Sequence, residues 1–429
     1  MSGRLRGPLA RPFWLLLGLI TAAGLVARVV YILMVARHIT VQGDALTFHL
    51  LANLLADGHG FVAAQPYALQ GIVEPTAEHP PLYPVLLSGV SWLGGTSYTA
   101  HRLASAVMGT GTVFAVGLLG RRVGGERVGL VAAVVAAFYP ILIVTDGTLL
   151  SESLYGLLIA LTLLAAYRLR DVPSLGRAAV LGALVALCAL TRAEATLLLL
   201  LLVIPLAWRG GRAFRGRRIA AGCVAFFLVL APWLIRTWIA FDKPVWISTN
   251  SGTLLAGANC GPVYHGDQIG LWRIDCLKLA HGSEAHKAAV WRSQGIDYAR
   301  HHAGRVPLVV AVRVLRIWDL YRPNQAANYE TLEQRDLRTE QIGTAVYYVL
   351  LALAVYGLVV LRRRGAPLWI LLSAPVLVTI SGAIGYGITR LRMAAEISIV
   401  VLAAVAIVAL LERLALAIPS ASDSLEAEA

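Results

Sequence analysis

Two short motifs in the first hydrophilic stretch of the chain carry residue types that can do acid–base chemistry. Asp44 stands between Gly43 and Ala45, just after a long apolar run, and Glu78-His79-Pro80-Pro81 follows further along the same stretch. A carboxylate in such a place can accept a proton from an attacking hydroxyl or amine. Aspartate also caps helices for purely structural reasons. The pattern at Asp44 therefore fits a general base and an N-cap residue alike.

The dipeptide Pro80-Pro81 gives the second motif its stiffness. Prolines fix φ and disfavour helix at the residue before them, so Glu78 and His79 are expected to be extended. A stiff entry to the following helix would explain the motif equally well. We interpret Glu78 and His79 as candidate substrate-binding residues and leave the structural alternative open.

One further carboxylate and four arginines complete the set of candidate site residues. Glu152 falls in an apolar run, where an ionised group costs about 2.5–3.5 kcal/mol at mid-membrane and usually faces the bundle interior. It is the second candidate catalytic acid. The candidate substrate-binding arginines stand at predicted outer ends of apolar runs: Arg102, Arg192, Arg390 and Arg392. They could hold a phosphate by paired hydrogen bonds or simply extend to the headgroup layer, and Glu194 could pair with Arg192.

The composition indicates that a membrane protein positions these residues. Hydrophobic residues make up 58% of the 429 residues, charged residues only 14%, and the mean hydropathy is +0.70. Soluble domains are about one quarter charged. The net charge of +13 comes from short Lys/Arg clusters between apolar runs, which is the pattern of cytoplasmic loops. No basic stripe with interleaved aromatics occurs, so a nucleic-acid partner is excluded.

Apolar runs predict about ten membrane spans. The first, 13–36, is longer than the apolar core of a cleavable signal peptide and is interpreted as an uncleaved span. The other candidates are 100–120, 128–145, 148–167, 178–191, 195–208, 219–240, 342–361, 367–388 and 393–412. The pair 178–191 and 195–208 is short against the ~20 residues of a crossing helix and is predicted to form a partly submerged hairpin. The stretch 82–95 is predicted to be interfacial or re-entrant.

The arginine clusters set the predicted orientation in the cytoplasmic membrane. With the N-terminus inside, the clusters at 121–127, 168–177, 209–218 and 362–364 fall in cytoplasmic loops, as the positive-inside rule expects. The predicted organisation is a membrane catalytic core at 1–240 with its first outer loop at 37–99, an extracytoplasmic segment at 241–341, C-terminal spans at 342–418 and a disordered tail at 419–429.

Local patterns refine the two outer regions. Leucines recur at helical spacing after Asp44, which predicts an interfacial helix that Asp44 caps and that ends near Gly58. Cys260 and Cys276 share the second outer region. A disulfide between them is favoured there, with two free thiols as the alternative.

Several of these motifs, in this order, resemble a known enzyme family. The resemblance rests on Gly43-Asp44-Ala45, His79-Pro80-Pro81-Leu82-Tyr83-Pro84, Ser151-Glu152-Ser153-Leu154-Tyr155 and Arg390-Leu391-Arg392. They resemble C-type (GT-C) membrane glycosyltransferases, in the branch of protein O-mannosyltransferases and lipid A aminoarabinose transferases. The resemblance implies an all-α polytopic bundle of about ten transmembrane helices, with interfacial helices in the first outer loop and a small outer segment. Ala45 departs from the pattern, since many relatives carry a second acid there.

The resemblance also implies a function. It implies transfer of a sugar from a polyprenyl-phosphate-linked donor in the bilayer to an acceptor outside the cytoplasmic membrane, whether protein, lipid or cell-wall glycan. Asp44 would be the general base, Glu152 a second acid, and Arg102 and Arg392 phosphate-side residues. One departing phosphate carries less charge than a nucleotide diphosphate, so an obligatory divalent cation is less expected, and a divalent cation is kept as the possible cofactor.

Three other classes of protein compete with this interpretation. A multi-span transporter of a lipid-linked or small polar substrate would favour ionisable groups near the bilayer midplane, broken helices and inverted repeats. A membrane scaffold would need neither Asp44 nor Glu152. A zinc hydrolase would need ligand spacing such as H-E-x-x-H, which the sequence lacks.

Overall fold

The computed structural model describes residues 10–209 and 211–417, and this part of the chain is built from α-helices. The predicted disordered tail 419–429 lies outside these described residues. The helices are α1 Ala10–Met34, α2 Gly43–Ala56, α3 Ala64–Gln70, α4 Leu82–Trp92, α5 Tyr98–Gly124, α6 Glu126–Phe138, α7 Pro140–Gly147, α8 Glu152–Asp171, α9 Leu175–Ala189, α10 Ile204–Trp208, α11 Arg215–Ala240, α12 Ser251–Ala258, α13 Gly261–Tyr264, α14 Glu284–His301, α15 Val306–Ile317, α16 Pro323–Glu330, α17 Leu337–Arg363, α18 Trp369–Ile384 and α19 Met393–Ala417.

Six of the described helices are long and apolar enough to cross a membrane, or seven spans if one bent pair counts as a span. The bent pair is α6 and α7, which meet at 51°. Tyr139 between them is extended and Pro140 opens the second helix, because proline disfavours helix at the residue before it. The predicted count of about ten spans is not confirmed. Several predicted spans are the shorter apolar helices 175–189, 193–208 and 369–384.

The long helices pack into one bundle around small and branched side chains. The helices α8 and α19 are mostly buried within it, whereas α1 and α11 are mostly exposed along their lengths. A buried ion pair ties α1 to α7, with Nε of Arg28 2.6 Å from Oδ2 of Asp146. Gly109 on α5 leaves the room for that carboxylate, because a Cβ there would lie 1.8 Å from Oδ2. Asp146 therefore serves the packing of the bundle.

The first outer loop folds into the short helices α2, α3 and α4. The predicted cap is wrong, since Gln42 is the N-cap residue of α2 and Asp44 lies inside its first turn without capping it. The helix ends at Ala56, and Gly58 follows with φ of +83°. Ala45 and Phe48 of α2 pack into the core of the bundle. The helix α2 therefore positions the side chain of Asp44, and this side chain does not cap the helix.

The second outer region is held together by a disulfide and tied to the first outer loop. Cys260 and Cys276 are bonded, so the favoured pairing is confirmed. Glu284, in the first turn of α14, accepts hydrogen bonds from the Thr76 hydroxyl at 2.6 Å and the backbone N–H of Ala77 at 2.8 Å. These contacts fix the backbone directly before His79.

Candidate active site

A cavity of about 430 Å³ opens at the end of the bundle where α2 and α8 begin. Its wall is assembled from six separate parts of the chain, so it forms only when the bundle is packed. The polar lining residues are Asp44, His79, Ser151, Glu152, Thr191, Arg192, Glu194, Thr196, Ser248, Asn250, Ser251, Ser381, Tyr386 and Arg390. The remaining wall is largely apolar, with Phe48, Leu150, Trp246 and Ile384 among its residues. A cavity of this size, mostly apolar with a few converging polar groups, is typical of a small-molecule site.

Arg390 is the centre of the polar side of the cavity. It lies in the helical turn Thr389–Arg392 that leads into α19. Its Nη2 donates to Oδ2 of Asp44 at 2.6 Å, and its Nη1 donates to Oε2 of Glu333. Its Nε lies 3.5 Å from Oε1 of Glu152. One buried guanidinium group thus connects three carboxylates from distant parts of the sequence.

Arg192 forms the second cationic part of the same wall. It follows α9 and precedes the turn Ala193–Thr196. Its Nη1 donates to Oε1 of Glu152 at 2.6 Å, and its Nε donates to Oε1 of Glu194 at the same distance. The suggested pairing of Glu194 with Arg192 is therefore present. Glu152, the first residue of α8 and almost fully buried, joins the two arginines.

His79 contributes a third donor group to the cavity. Its side chain is buried, its ring packs 4.6 Å from that of Phe48, and its Nε2 lies 3.7 Å from Oδ1 of Asp44. No group in the described structure accepts or donates a hydrogen bond at Nε2. Pro81 is the N-cap residue of α4, so the two prolines carry the chain from His79 directly into that helix. The stiffness predicted from the motif therefore fixes this ring at the cavity.

The electrostatics of Asp44 make it a stable carboxylate. Burial alone would raise its pKa, but the positive charge of Arg390 and the hydrogen bond that it donates outweigh that effect and lower the pKa to about 2. The group is consequently ionised at any pH near neutrality. While Arg390 holds it, the carboxylate is also a weak base, because a low pKa means a low proton affinity.

Glu333 is a site residue that the sequence did not reveal. It ends the short turn Thr331–Glu333 in the second outer region, and it contacts Arg390 without lining the cavity. Burial and the negative charge of Asp44 raise its pKa to about 7, although Arg390 acts in the opposite direction. The nearby Glu330 accepts the backbone N–H of Arg390 at 2.8 Å. Both glutamates look like ordinary loop residues in the sequence, and no motif there singles them out.

Three of the predicted site residues are not brought to the cavity. Glu78 is exposed, and its hydrogen bonds come from its backbone: its carbonyl group accepts from the Ser248 hydroxyl and its N–H donates to the Thr76 hydroxyl at 3.1 Å. Arg102 donates to the carbonyl group of Ile39 at 3.2 Å. Arg392 is buried against Glu396, with Nε donating to Oε1 at 2.6 Å. None of the three lines the cavity, so we do not carry them into the proposed site.

The carboxylates of the site are arranged around arginines rather than around an ion. No group of three or more His, Cys, Asp or Glu side chains among the described residues is placed to hold a metal ion. Each carboxylate of the cavity wall has a guanidinium partner within 2.6 Å: Arg390 for Asp44, and Arg192 for Glu152 and Glu194. The arrangement can hold an anion, exchange a proton, and exclude water behind an apolar wall.

Comparison with known proteins agrees with the resemblance seen in the sequence. The family model described as dolichyl-phosphate-mannose-protein mannosyltransferase matches residues 78–236. That stretch contains His79, Glu152 and Arg192. No curated protein matches the chain.

Several solved structures share the fold. The oligosaccharyltransferase AglB of Archaeoglobus fulgidus, in complex with an inhibitory peptide and a dolichol-phosphate, superimposes with a TM-score of 0.56 at 13% identity, over 99% of this chain and 52% of that one. The Archaeoglobus fulgidus oligosaccharyltransferase tethered to an acceptor peptide superimposes with a TM-score of 0.53 at 13% identity, over 95% of this chain and 50% of that one. ArnT of Cupriavidus metallidurans, bound to undecaprenyl phosphate, superimposes with a lower TM-score of 0.42 at 15% identity, over 91% of this chain and 77% of that one.

The chain spans about half of the length of the oligosaccharyltransferase chains that it matches. The likeness therefore concerns the membrane bundle and the short outer helices described above. The resemblance seen in the sequence is confirmed at the level of the fold, which the described helices share with these membrane glycosyltransferase structures, and residues 78–236 match the family model.

Proposed function

We propose that this protein transfers a sugar from a polyprenyl-phosphate-linked donor to an acceptor on the extracytoplasmic side of the cytoplasmic membrane. One observation carries the proposal: Asp44 and two guanidinium groups, those of Arg192 and Arg390, converge on one cavity with a largely apolar wall. A lipid-borne sugar phosphate needs an anion-binding end, a proton acceptor and a path for an apolar chain. The cavity offers all three. The match to the mannosyltransferase family model and the GT-C fold support the same chemistry.

The arginine distribution supports an extracytoplasmic site. The helix α8 begins at the cavity with Glu152 and carries Arg168 and Arg170 in its last turn. The helix α17 likewise begins close to the cavity, just after Glu333, and carries Arg362 and Arg363 in its last turn. Cytoplasmic loops are enriched in arginine, so the opposite ends, with the cavity, would face the exterior and put the N-terminus in the cytoplasm.

In the proposed reaction, Asp44 acts as the general base. An acceptor hydroxyl or amine attacks the anomeric carbon, and its proton passes to the carboxylate of Asp44. The bond between the anomeric carbon and the donor phosphate oxygen breaks, and polyprenyl phosphate leaves. Arg390 and Arg192 stabilise the charge that develops on this phosphate, the electrostatic contribution that is usually largest in such sites.

Donor binding would also prepare the base. In the structure, Nη2 of Arg390 is 2.6 Å from Oδ2 of Asp44, and that contact keeps the carboxylate weakly basic. A phosphate beside Arg390 would compete for the same N–H groups. Asp44 would then regain ordinary carboxylate basicity only once the donor is in place, which would limit proton abstraction to productive complexes.

The second outer region is the proposed place of acceptor selection. It contributes Trp246, Ser248, Asn250 and Leu254 to the cavity wall. Trp246 is half exposed, and aromatic rings of this kind can stack on a sugar.

The test presents the purified full-length protein in detergent with a panel of polyprenyl-phosphate sugars and measures released polyprenyl phosphate. We expect release with at least one donor, and loss of that release in Asp44→Asn. Absence of release across the panel, together with substrate flux in proteoliposomes, would instead identify a transporter. Absence of both would favour a non-catalytic scaffold.

A further inference from the structure

Both arginines of the cavity wall already form ion pairs with carboxylates of the protein. Arg390 contacts Asp44 and Glu333 and lies 3.5 Å from Glu152. Arg192 contacts Glu152 and Glu194, each at 2.6 Å. Two guanidinium groups thus serve four carboxylates. The polar end of the cavity carries an excess of negative charge before any ligand arrives.

This excess conflicts with the binding of a phosphate. A phosphate group adds further negative charge in a partly buried place, where like charges repel strongly. The site must therefore gain positive charge, or lose negative charge, when such a ligand binds. Uptake of a proton by one of the carboxylates or by His79 would do so, and uptake of a cation would do so as well.

Among the carboxylates, Glu333 is placed best to take this proton. It contacts Arg390 but does not line the cavity, so a proton can be taken up there without neutralising a carboxylate that would meet the substrate. Its side chain is 23% exposed, which leaves a route to solvent. Glu152 is almost fully buried and binds Arg192 directly, and Asp44 is needed as a carboxylate.

The charged neighbours of Glu333 come from every element packed around it. Arg390 is the cation in contact with it, and the negative neighbours are Asp44 of α2, Glu152 of α8 and Glu330 of α16. The phenol groups of Tyr386 and Tyr329 lie close enough to interact with its charge. The next arginine, Arg335, is occupied by Glu340 at 3.1 Å and lies 3.5 Å from Glu330.

We propose that binding of the lipid-linked phosphate is coupled to the uptake of one proton by Glu333. The carboxylate takes the proton from solvent and becomes a neutral acid, so Nη1 of Arg390 is released and can turn to a phosphate oxygen. Departure of the phosphate returns the proton to solvent and Arg390 to Glu333. Glu333 is thus a positioning residue that acts through Arg390, and the affinity for the donor falls as pH rises.

The protonation equilibrium of Glu333 suits this role. Burial and the charge of Asp44 raise its pKa to about 7 in the empty site, so roughly a quarter of the molecules are protonated at pH 7.5. A phosphate several ångströms away raises that pKa further. Binding at pH 7.5 therefore takes up about half a proton or more, and affinity falls roughly five- to tenfold between pH 7 and pH 8.5.

The test uses undecaprenyl phosphate as the ligand, which is the lipid product of any undecaprenyl-linked donor. The choice of this ligand rests on the proposed function. Binding to the full-length protein in detergent is measured by isothermal titration calorimetry at pH 7.5 in two buffers with different ionisation enthalpies, which gives the number of protons taken up. Glu333→Gln mimics the neutral acid, and we expect it to take up about half a proton less. It should also bind more tightly than the wild type at pH 8.5. Glu194→Gln, which removes a charge from the same cavity, serves as the matched control and should retain the uptake.

Every outcome of this experiment either supports or overturns the proposed proton coupling. Three outcomes would overturn the coupling while leaving the proposed function intact. They are equal proton uptake by the wild type and Glu333→Gln, proton uptake that disappears only in His79→Asn, and phosphate binding that requires a divalent cation. Absence of binding in every variant would refute both. If Glu333→Gln is not obtained as a monodisperse protein, proton uptake by the wild type is measured between pH 6 and pH 9 instead. The coupling requires the number of protons taken up to change around pH 7 by more than the titration of the free lipid phosphate explains.

Discussion

Replacing Asp44 by asparagine removes one charge and almost no volume from the cavity. The amide oxygen of the new side chain can still accept the hydrogen bond from Nη2 of Arg390, which is 2.6 Å long in the wild type. Arg390 also keeps its contact with Glu333. The side chain of Asp44 is 34% exposed, so solvent screens part of the lost ion pair, and we expect the free energy of unfolding to fall by about 1 kcal/mol.

The effect on turnover should be much larger than the effect on stability. A positioned general base typically contributes about 10²–10⁴-fold to the rate, which corresponds to roughly 3–5 kcal/mol of activation free energy. Asparagine cannot accept the proton of the acceptor. The turnover number of Asp44→Asn should therefore fall by at least about a hundredfold, whereas binding of undecaprenyl phosphate should be retained or strengthened, because the substitution removes a negative charge beside Arg390.

The assay follows release of polyprenyl phosphate from the donor that is active with the wild type. Asp57→Asn is the matched control, because Asp57 is the exposed C-cap residue of the same helix and carries the same charge. It should keep wild-type turnover. Turnover of Asp44→Asn within a few-fold of the wild type, with both proteins monodisperse, would remove Asp44 from the role of base and refute the reasoning.

Three further outcomes follow from other contacts. Arg192→Ala should weaken undecaprenyl phosphate binding about 10- to 100-fold in calorimetry through loss of charge-assisted hydrogen bonds; unchanged affinity would mean that Arg192 does not meet the phosphate. Gly109→Ala should destabilise the protein by about 3 kcal/mol or more in thermal unfolding, because its Cβ would overlap the carboxylate of Asp146; an unshifted transition would contradict that packing. Cys276→Ser opens the 16-residue separation from Cys260 and should cost about 3 kcal/mol in the same measurement, and a wild-type transition midpoint would show that the bridge is not stabilising.

The sequence singled out Asp44, which lines the cavity, but it predicted the wrong local role for this residue. A helix was predicted from leucines at helical spacing, and α2 is present. Its cap is nevertheless Gln42, because the structure binds the carboxylate of Asp44 to Arg390, 346 residues away along the chain. Local capping preferences are worth about 1 kcal/mol, and the ion pair with Arg390 across the fold overrides them.

The same limit applies to the arginines. Four of them stand at similar ends of apolar runs, and nothing in their local sequence separates them. The fold brings Arg192 and Arg390 to one cavity, whereas it binds Arg102 to a carbonyl group and Arg392 to Glu396. A guanidinium group reaches only a few ångströms, so its partner is decided by how helices pack and not by its neighbours in sequence.

What the sequence alone determined is the class of molecule and the residues able to react: apolar periodicity dictates membrane helices, and proline geometry stiffens the chain at His79. What only the tertiary structure decided is which of those residues meet. The cavity is built from parts of the chain between Asp44 and Leu391, and Glu333 contacts its central arginine, Arg390, although no motif marks that position. Coulomb interactions depend on distance in space, so the charge balance of the site, and the proton coupling proposed from it, exist only in the folded bundle.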